Sequence, residues 1–404
     1  MKRIILLGIS LLTYCSVFAQ GVKFDTISLD QALARAQAEG KLVFVDVTAS
    51  WCEPCRLMFE EVLSKKEVGE FCNKQFVCIQ IDIDKLEGKD FKKKYGVKSL
   101  PTFFILQKDG TVRHRLQGSR RPEDFLAWAN RGVSETSSLF FLNSLLEQKQ
   151  KMSLQNRVDY YLVLQDTRKL HEADSLRSVL FEQTSFEKLI DKECWPLFSG
   201  DTYGSEYFEY VVKHGDKFRE KQGKDRIDDY LVQGYKHEIL RLMYDCQASP
   251  EAFDLIEQIT TALSVPGRTM ISEEDKVRVV LAWAKEVKAF LENDISGMVE
   301  GMRELVELNE WKDCLWYAMK YVGVNGNGED KERMGQFTFK MLFEFANTPV
   351  EQWDFYQKFR FLGFPISCNG KFWSNALEQV RVKDKPLLLE CVRGNDAYFI
   401  ARNW

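Results

Sequence analysis

Histidine is scarce in this chain, four in 404 residues, and no second Cys-x-x-Cys or paired histidine stands near the one Cys-x-x-Cys it has. A structural zinc site draws on four such ligands, so no metal is expected, and no cofactor either. Beyond the first nineteen residues there is no apolar run near the ~20 residues that span a bilayer, so no stable membrane insertion is expected. Lys/Arg blocks are also missing, and 56 basic against 60 acidic side chains leave a net charge of −4. That balance gives no reason to expect nucleic acid or anionic lipid as a partner. Ten cysteines over this length are too sparse for a disulfide framework.

What is present is a globular composition, with 45% hydrophobic, 13% aromatic and 29% charged residues. A chain of this length predicts two or three domains. Residues 1–19 have the layout of a cleavable export signal: Lys2 and Arg3, an apolar centre from Ile4 to Leu12, and Val17-Phe18-Ala19 before Gln20. A retained anchor and a lipoprotein signal at Cys15 are the rival readings, and the bulky Tyr14 argues against lipidation. Cleavage would remove Lys2, Arg3 and Cys15, which takes the net charge to −6 and leaves nine cysteines.

The apolar run Leu42-Val43-Phe44-Val45-Asp46-Val47 delivers Trp51-Cys52-Glu53-Pro54-Cys55 to the start of the next helix. Unpaired N–H groups and the helix dipole at that end favour a thiolate, so Cys52 is expected to attack and Cys55, one turn deeper, to resolve. A permanent disulfide is the alternative. Glu53 sets a carboxylate beside Cys52, which opposes the thiolate and leans the pair towards a reductant.

Around this pair the elements alternate. Ser28-Leu29-Asp30-Gln31 reads as a capping box and Gly40 as a helix stop; Ser64-Lys65-Lys66-Glu67 offers a second box. A second strand is expected over 76–81 and a short helix over 89–95. Asp109-Gly110 marks a hairpin, and Pro122 opens a last helix with Glu123 and Asp124 near its positive end. This predicts a small α/β sandwich. Cys72 and Cys78 read as packing, Lys92-Lys93-Lys94 and Arg120-Arg121 as solvated faces, and His114 as a surface hairpin residue.

Asp46 six residues before Cys52, Trp51, Pro54, the Tyr95-Gly96-Val97 to Pro101-Thr102 segment and Asp109-Gly110 together make residues 22–132 resemble a thioredoxin-family domain. The resemblance implies a central mixed sheet flanked by helices. It also implies that Asp46 accepts a proton from Cys55 through water, and that Leu100-Pro101 is a cis peptide packed on the sulfurs. On the same grounds Leu100, Pro101 and Thr102 hold an extended substrate strand. Trp51 would offer clients an apolar contact, and Glu53 with Pro54 would tune the potential. One departure is Gln80, where the family commonly has a lysine opposite the acid. Glu-Pro between the cysteines is similar to the pair in some extracytoplasmic reductases.

The polar run Ser134 to Ser138 marks the expected boundary, giving a thioredoxin-like domain over 20–134 and an all-helical domain over 135–404, either an array of helical hairpins or an irregular bundle. Helical faces include Val158 with Tyr161, and Val280, Trp283, Val287 and Leu291. Phe355, Phe359 and Leu362 form a third. His171, His214 and His237 are isolated; Cys194, Cys246, Cys314, Cys368 and Cys391 are scattered; the Gly-rich stretch 323–328 lacks a phosphate-loop context.

The expectation is therefore a periplasmic thiol–disulfide oxidoreductase acting on exported protein clients, with a membrane-embedded thiol carrier as electron donor if it reduces. Two other readings stand beside it, a helical scaffold with an accessory redox switch and a dimeric disulfide isomerase.

Overall fold

A computed structural model describes residues 21–245, 248–264, 271, 273–308, 310 and 325–330. The expected export signal, the 355–362 face and Cys246, Cys314, Cys368 and Cys391 lie outside them. The chain divides after Leu176 into two compact units.

In the first unit, four strands form a mixed sheet in the order β2-β1-β3-β4. They are β1 (Leu42–Thr48), β2 (Phe76–Asp82), β3 (Thr102–Leu106) and β4 (Val112–Gln117). β1 runs parallel to β2 and antiparallel to β3, and β3 antiparallel to β4. The helices are α1 (Leu29–Glu39), α2 (Glu53–Met58, continued by a π turn over Phe59–Leu63), α3 (Lys66–Gln75), α4 (Leu86–Tyr95), α5 (Pro122–Val133), α6 (Leu139–Glu147) and α7 (Leu154–Asp166). β1 is buried on both faces, which is why it reads as a continuous apolar run. Val43, Val45 and Val47 pack with α1 and α4, while Phe44 enters a second core with Phe103, Phe125 and Trp128.

The local signals hold where a backbone group needs a partner. Ser28 and Gln31 form the capping box of α1, and Gly40 closes that helix with φ 70°. Gly96 closes α4 at φ 61°, and Gly110 turns the hairpin at φ 84°. The second capping box does not form: Lys65 takes the N-cap of α3, and the Ser64 hydroxyl instead donates to Glu60 O at the end of the π turn. α4 starts three residues earlier than expected, because Gly88 lets its first turn press against the Asp82 carbonyl, where any Cβ would clash.

Two further expectations are corrected. His114 is fully buried, stacked on Trp128, and its Nδ1 accepts from Leu139 N at 3.0 Å. Arg113 beside it is also buried and donates to the carbonyls of Gly132 (2.8 Å), Val133 (3.2 Å) and Ser134 (3.0 Å), and to Glu135 (2.9 Å). It thus satisfies the orphan carbonyls at the C-terminus of α5 and places a cation at the negative end of its dipole. Arg120 is no solvated face either: with Arg131 it holds the buried Asp166 of α7. The polar run 134–138 is consequently tied down, and α6 and α7 pack on β4.

Among its described residues the second unit is helical. It takes in the end of α8 (Leu170–Gln183), then α9 (Phe186–Leu189), a 3-10 turn over Lys192–Leu197, α10 (Glu206–Lys213), α11 (Gly215–Gln222), α12 (Lys224–Asp245), α13 (Pro250–Ser264), α14 (Glu274–Leu291) and α15 (Ile295–Glu307). Pro250 opens α13, and Val280, Trp283, Val287 and Leu291 form the buried face of α14 as expected. Among the described residues no helix is long and apolar enough to cross a membrane.

Candidate functional site

β1 ends at Thr48, and the chain turns once before α2 begins. Cys52 is the N-cap of α2, with extended backbone, and its Sγ accepts from Cys55 N at 3.2 Å. A sulfur there faces the free N–H groups of the first turn, which stabilise negative charge on it. Pro54 lies in the same turn, where its missing N–H costs nothing. The two cysteines form a disulfide. Cys52 and Cys55 are each only 5% exposed, whereas the neighbouring Trp51 is 67% exposed. The ring stands in solvent beside a nearly covered disulfide.

Glu53 is exposed and pairs with Arg56 at 2.7 Å, and Arg56 also reaches Glu60 at 3.3 Å. One cation is shared by two carboxylates, so this trio keeps a net negative charge next to the pair.

Leu100-Pro101 is a cis peptide. Leu100 packs into the same core as Cys52 and Cys55. Thr102 is buried, its hydroxyl donating to Ser99 O at 2.6 Å, and opposes Val47 in the sheet. The Pro101 carbonyl accepts from Gly118 N at 2.9 Å, and Met58 Sδ of α2 accepts from Arg120 N at 3.2 Å. These two bonds join the cis-proline segment and the active-site helix to the loop after β4. Sequence reading missed that loop; its one local signal is a glycine directly after a strand, here at φ 87°.

Asp46 is 3% exposed in the middle of β1. The parallel register sets it opposite Gln80, whose Nε2 donates to Asp46 Oδ2 at 2.9 Å. Burial pushes the carboxyl up to about 6, and the amide bond offsets part of that. Gln80 lines an open groove of about 700 Å³ with Thr48, Ala49, Ser50, Asp82 and Lys85, so its amide spans from that groove to the buried acid. The expectation for Gln80 is met in geometry: a neutral donor occupies the place where a cation would have lowered the acid further.

Cys72 and Cys78 are buried thiols, 3.9 Å from Cys78 Sγ to the Cys72 carbonyl. Burial pushes Cys72 up to about 12 and Cys78 higher still, which removes them from thiolate chemistry at neutral pH. Cys194 is buried in the second unit. Among the described residues no three of His, Cys, Asp and Glu converge on a metal position.

Residues 29–132 match the family model of a thioredoxin-like domain. A thioredoxin H-type from Oryza sativa subsp. indica is 36% identical over 97 residues, covering 23% of this chain and 71% of the rice protein. The chain belongs to the thioredoxin family. A thioredoxin H-type from Fagopyrum esculentum is 38% identical over 96 residues, covering 23% of this chain and 75% of its own. Among solved structures, a putative disulphide-isomerase from Bacteroides thetaiotaomicron is 36% identical, covering 29% of this chain and 98% of that one with a TM-score of 0.28. The protein is thus a thioredoxin-like thiol–disulfide oxidoreductase, with its cysteine pair in the matched domain and a largely helical region after it.

Proposed function

We propose that this thioredoxin-like protein is exported and reduces disulfides in protein clients. The observation that carries the reading is Cys52, capping α2 with its sulfur on a backbone N–H and sharing its core with the Leu100-Pro101 cis peptide. In the reduced protein, the Cys52 thiolate attacks one client sulfur. A Cys52–client bond forms, the client disulfide breaks, and the departing sulfur takes a proton. The Cys55 thiol then gives its proton, through water, to Asp46, whose raised affinity suits it to accept near neutral pH. Cys55 attacks Cys52 Sγ, the internal disulfide forms, and the second client thiol leaves. Two electrons pass to the client, and a thiol donor, membrane-embedded in this reading, must return them.

The direction follows from charge. The net negative trio of Glu53, Arg56 and Glu60 opposes a thiolate at Cys52 and so favours electron donation. The backbone of Leu100 to Thr102 holds the client strand, with Trp51 as its apolar contact. The disulfide pair is itself the redox group, so the exchange needs no cofactor. The basic amino-terminal start followed by an apolar centre supports export to the periplasm.

Two measurements test this. Cys55→Ala should hold a client as a mixed disulfide on Cys52, and recovery of no exported protein on it would remove the reductase reading. Equilibration with glutathione should give a potential well below that of strong oxidants, and a value near about −120 mV would reverse the direction.

A further inference from the structure

Outside the redox site, the first unit carries a cleft of about 600 Å³ between the edge strand β4 and α6–α7. Its floor includes Phe104 and Val112, its wall Leu139 and Leu164, and its charged lining is Lys98, Arg115, Arg168 and Lys169 with no carboxylate. Among the described residues none of these four cations is in an ion pair, in a chain whose net charge is negative. Arg115 lies over the Phe104 ring and donates to Gly96 O at 3.0 Å and, more weakly, to Tyr95 O at 3.5 Å. These are carbonyl partners at the end of α4, which leave its charge unneutralised. Glu172 acts on the lining at Tyr160, where its charge adds to burial in raising the phenol.

The cleft is aligned with the redox site. β4 runs from Val112, beside the hairpin, to Gln117, which opposes Thr102. The next residue, Gly118, is bonded to the cis-proline carbonyl, and the Arg168 guanidinium lies so close over Gly118 that a Cβ there would meet it at 2.6 Å. Six residues of β4 at ~3.3 Å each give roughly 20 Å, the reach of five or six extended residues. A free phosphate would leave most of such a cleft empty, and its apolar floor asks for side chains.

We infer that this cleft binds an acidic, extended segment of the client polypeptide that flanks the disulfide presented to Cys52. The inference rests on the oxidoreductase reading and names its substrate class. The helices that follow the thioredoxin-like domain thereby select clients by charge, placing carboxylates against Lys98, Arg115, Arg168 and Lys169 while Leu100 to Thr102 hold the cystine.

The test uses the full chain, reduced at Cys52 and Cys55, with two disulfide-linked peptides that differ only in Asp/Glu against Asn/Gln around the cystine. The acidic peptide should react about 10-fold faster at low salt, and the ratio should shrink as salt rises. Combining Lys98→Glu, Arg168→Asn and Lys169→Glu should bring the ratio to about one or below. Lys66→Glu with Lys74→Glu, on α3 in the opposite layer, should preserve it. Equal rates in the unmodified protein would overturn the inference, as would an equal loss of preference in the α3 variant, which would mean net charge alone. If neither peptide reacts, the redox reading fails. Calorimetry with a cysteine-free acidic peptide then decides the cleft: saturable binding lost in the triple variant sustains it, and no binding ends it.

Discussion

The two edges of the sheet are built on opposite plans. At the β2 edge, an apolar strand carries one exposed polar residue, Gln80, which reaches inward to Asp46 beside an open groove. At the β4 edge, a strand reading Val-Arg-His-Arg-Leu-Gln is covered by α6 and α7, and its Arg113 and His114 are buried. Edge strands invite wrong pairing unless something covers or charges them. Here one edge is left accessible beside a buried carboxyl, and the other is covered by helices that leave a cleft, with its buried polar side chains finding backbone partners. Polar residues in a strand therefore mean different things on the two sides.

The sharpest way to break this comparison is truncation. Ending the chain at Ser134 removes the cover of β4, whereas ending it at Leu176 keeps α6 and α7 with their buried Leu142, Leu145, Val158 and Tyr161. At about 1.5–3 kcal/mol per buried side chain, the shorter form should be less stable by roughly 5 kcal/mol or more in urea unfolding, and equal stabilities would show that the cover is incidental.

Next in size is a pair of substitutions, one for each edge. Arg113→Ala strands three carbonyls and should cost roughly 3 kcal/mol, while Gln80→Ala should cost under about 1 kcal/mol. Gln80→Ala should nevertheless move the pH dependence of Cys55 attack upward, because Asp46 loses the donor that lowers it. Similar stability losses at both edges would cancel the contrast.

The smallest effects are in pH. Asp46 is raised from 3.8 to about 6 in the folded chain, so the folded state holds the extra proton, and stability falls as pH rises through that window. Asp46→Asn should therefore add up to about 3 kcal/mol at pH 7 and almost nothing near pH 3.5, while slowing release of the mixed disulfide. His114 works in the opposite sense. Burial, with Arg131 and Arg113 nearby, holds it well below 6.5, so the unfolded chain takes the proton first and stability falls as pH drops below 6.5. Replacing His114 by Gln should flatten that acid limb, and an unchanged thermal-unfolding profile between pH 7 and 5 would show that His114 does not cause it.

The redox site was largely legible because its signals are local. Cys52, Cys55, Pro54, Gly96 and Gly110 act through the backbone within a few residues, and the Asp46–Gln80 pairing follows from two strands in parallel register. Family resemblance, more than any local rule, carried the cis Leu100-Pro101 bond. What stayed hidden depends on distant partners. Arg113 and His114 look solvated until the segment 132–139 folds onto them, and Arg120 until α7 brings up Asp166. Ser64 has a cap's chemistry but lost that role to the turn that precedes it. The cleft beside β4 could not be read because its cations come from three separate stretches of the chain.

The π turn at Phe59–Leu63 has its own consequence, for alignment. Ser64 N reaches back five residues to Phe59 O, so this turn holds one residue more than an α-helical turn. A homologue whose helix runs straight from the cysteine pair towards α3 needs one residue fewer here. Comparing the two without a gap would rotate Val62 and Leu63, both buried, off the face they occupy. The stretch reads as a single-residue insertion absorbed in place, beginning seven residues beyond Cys52, with the chemistry upstream undisturbed.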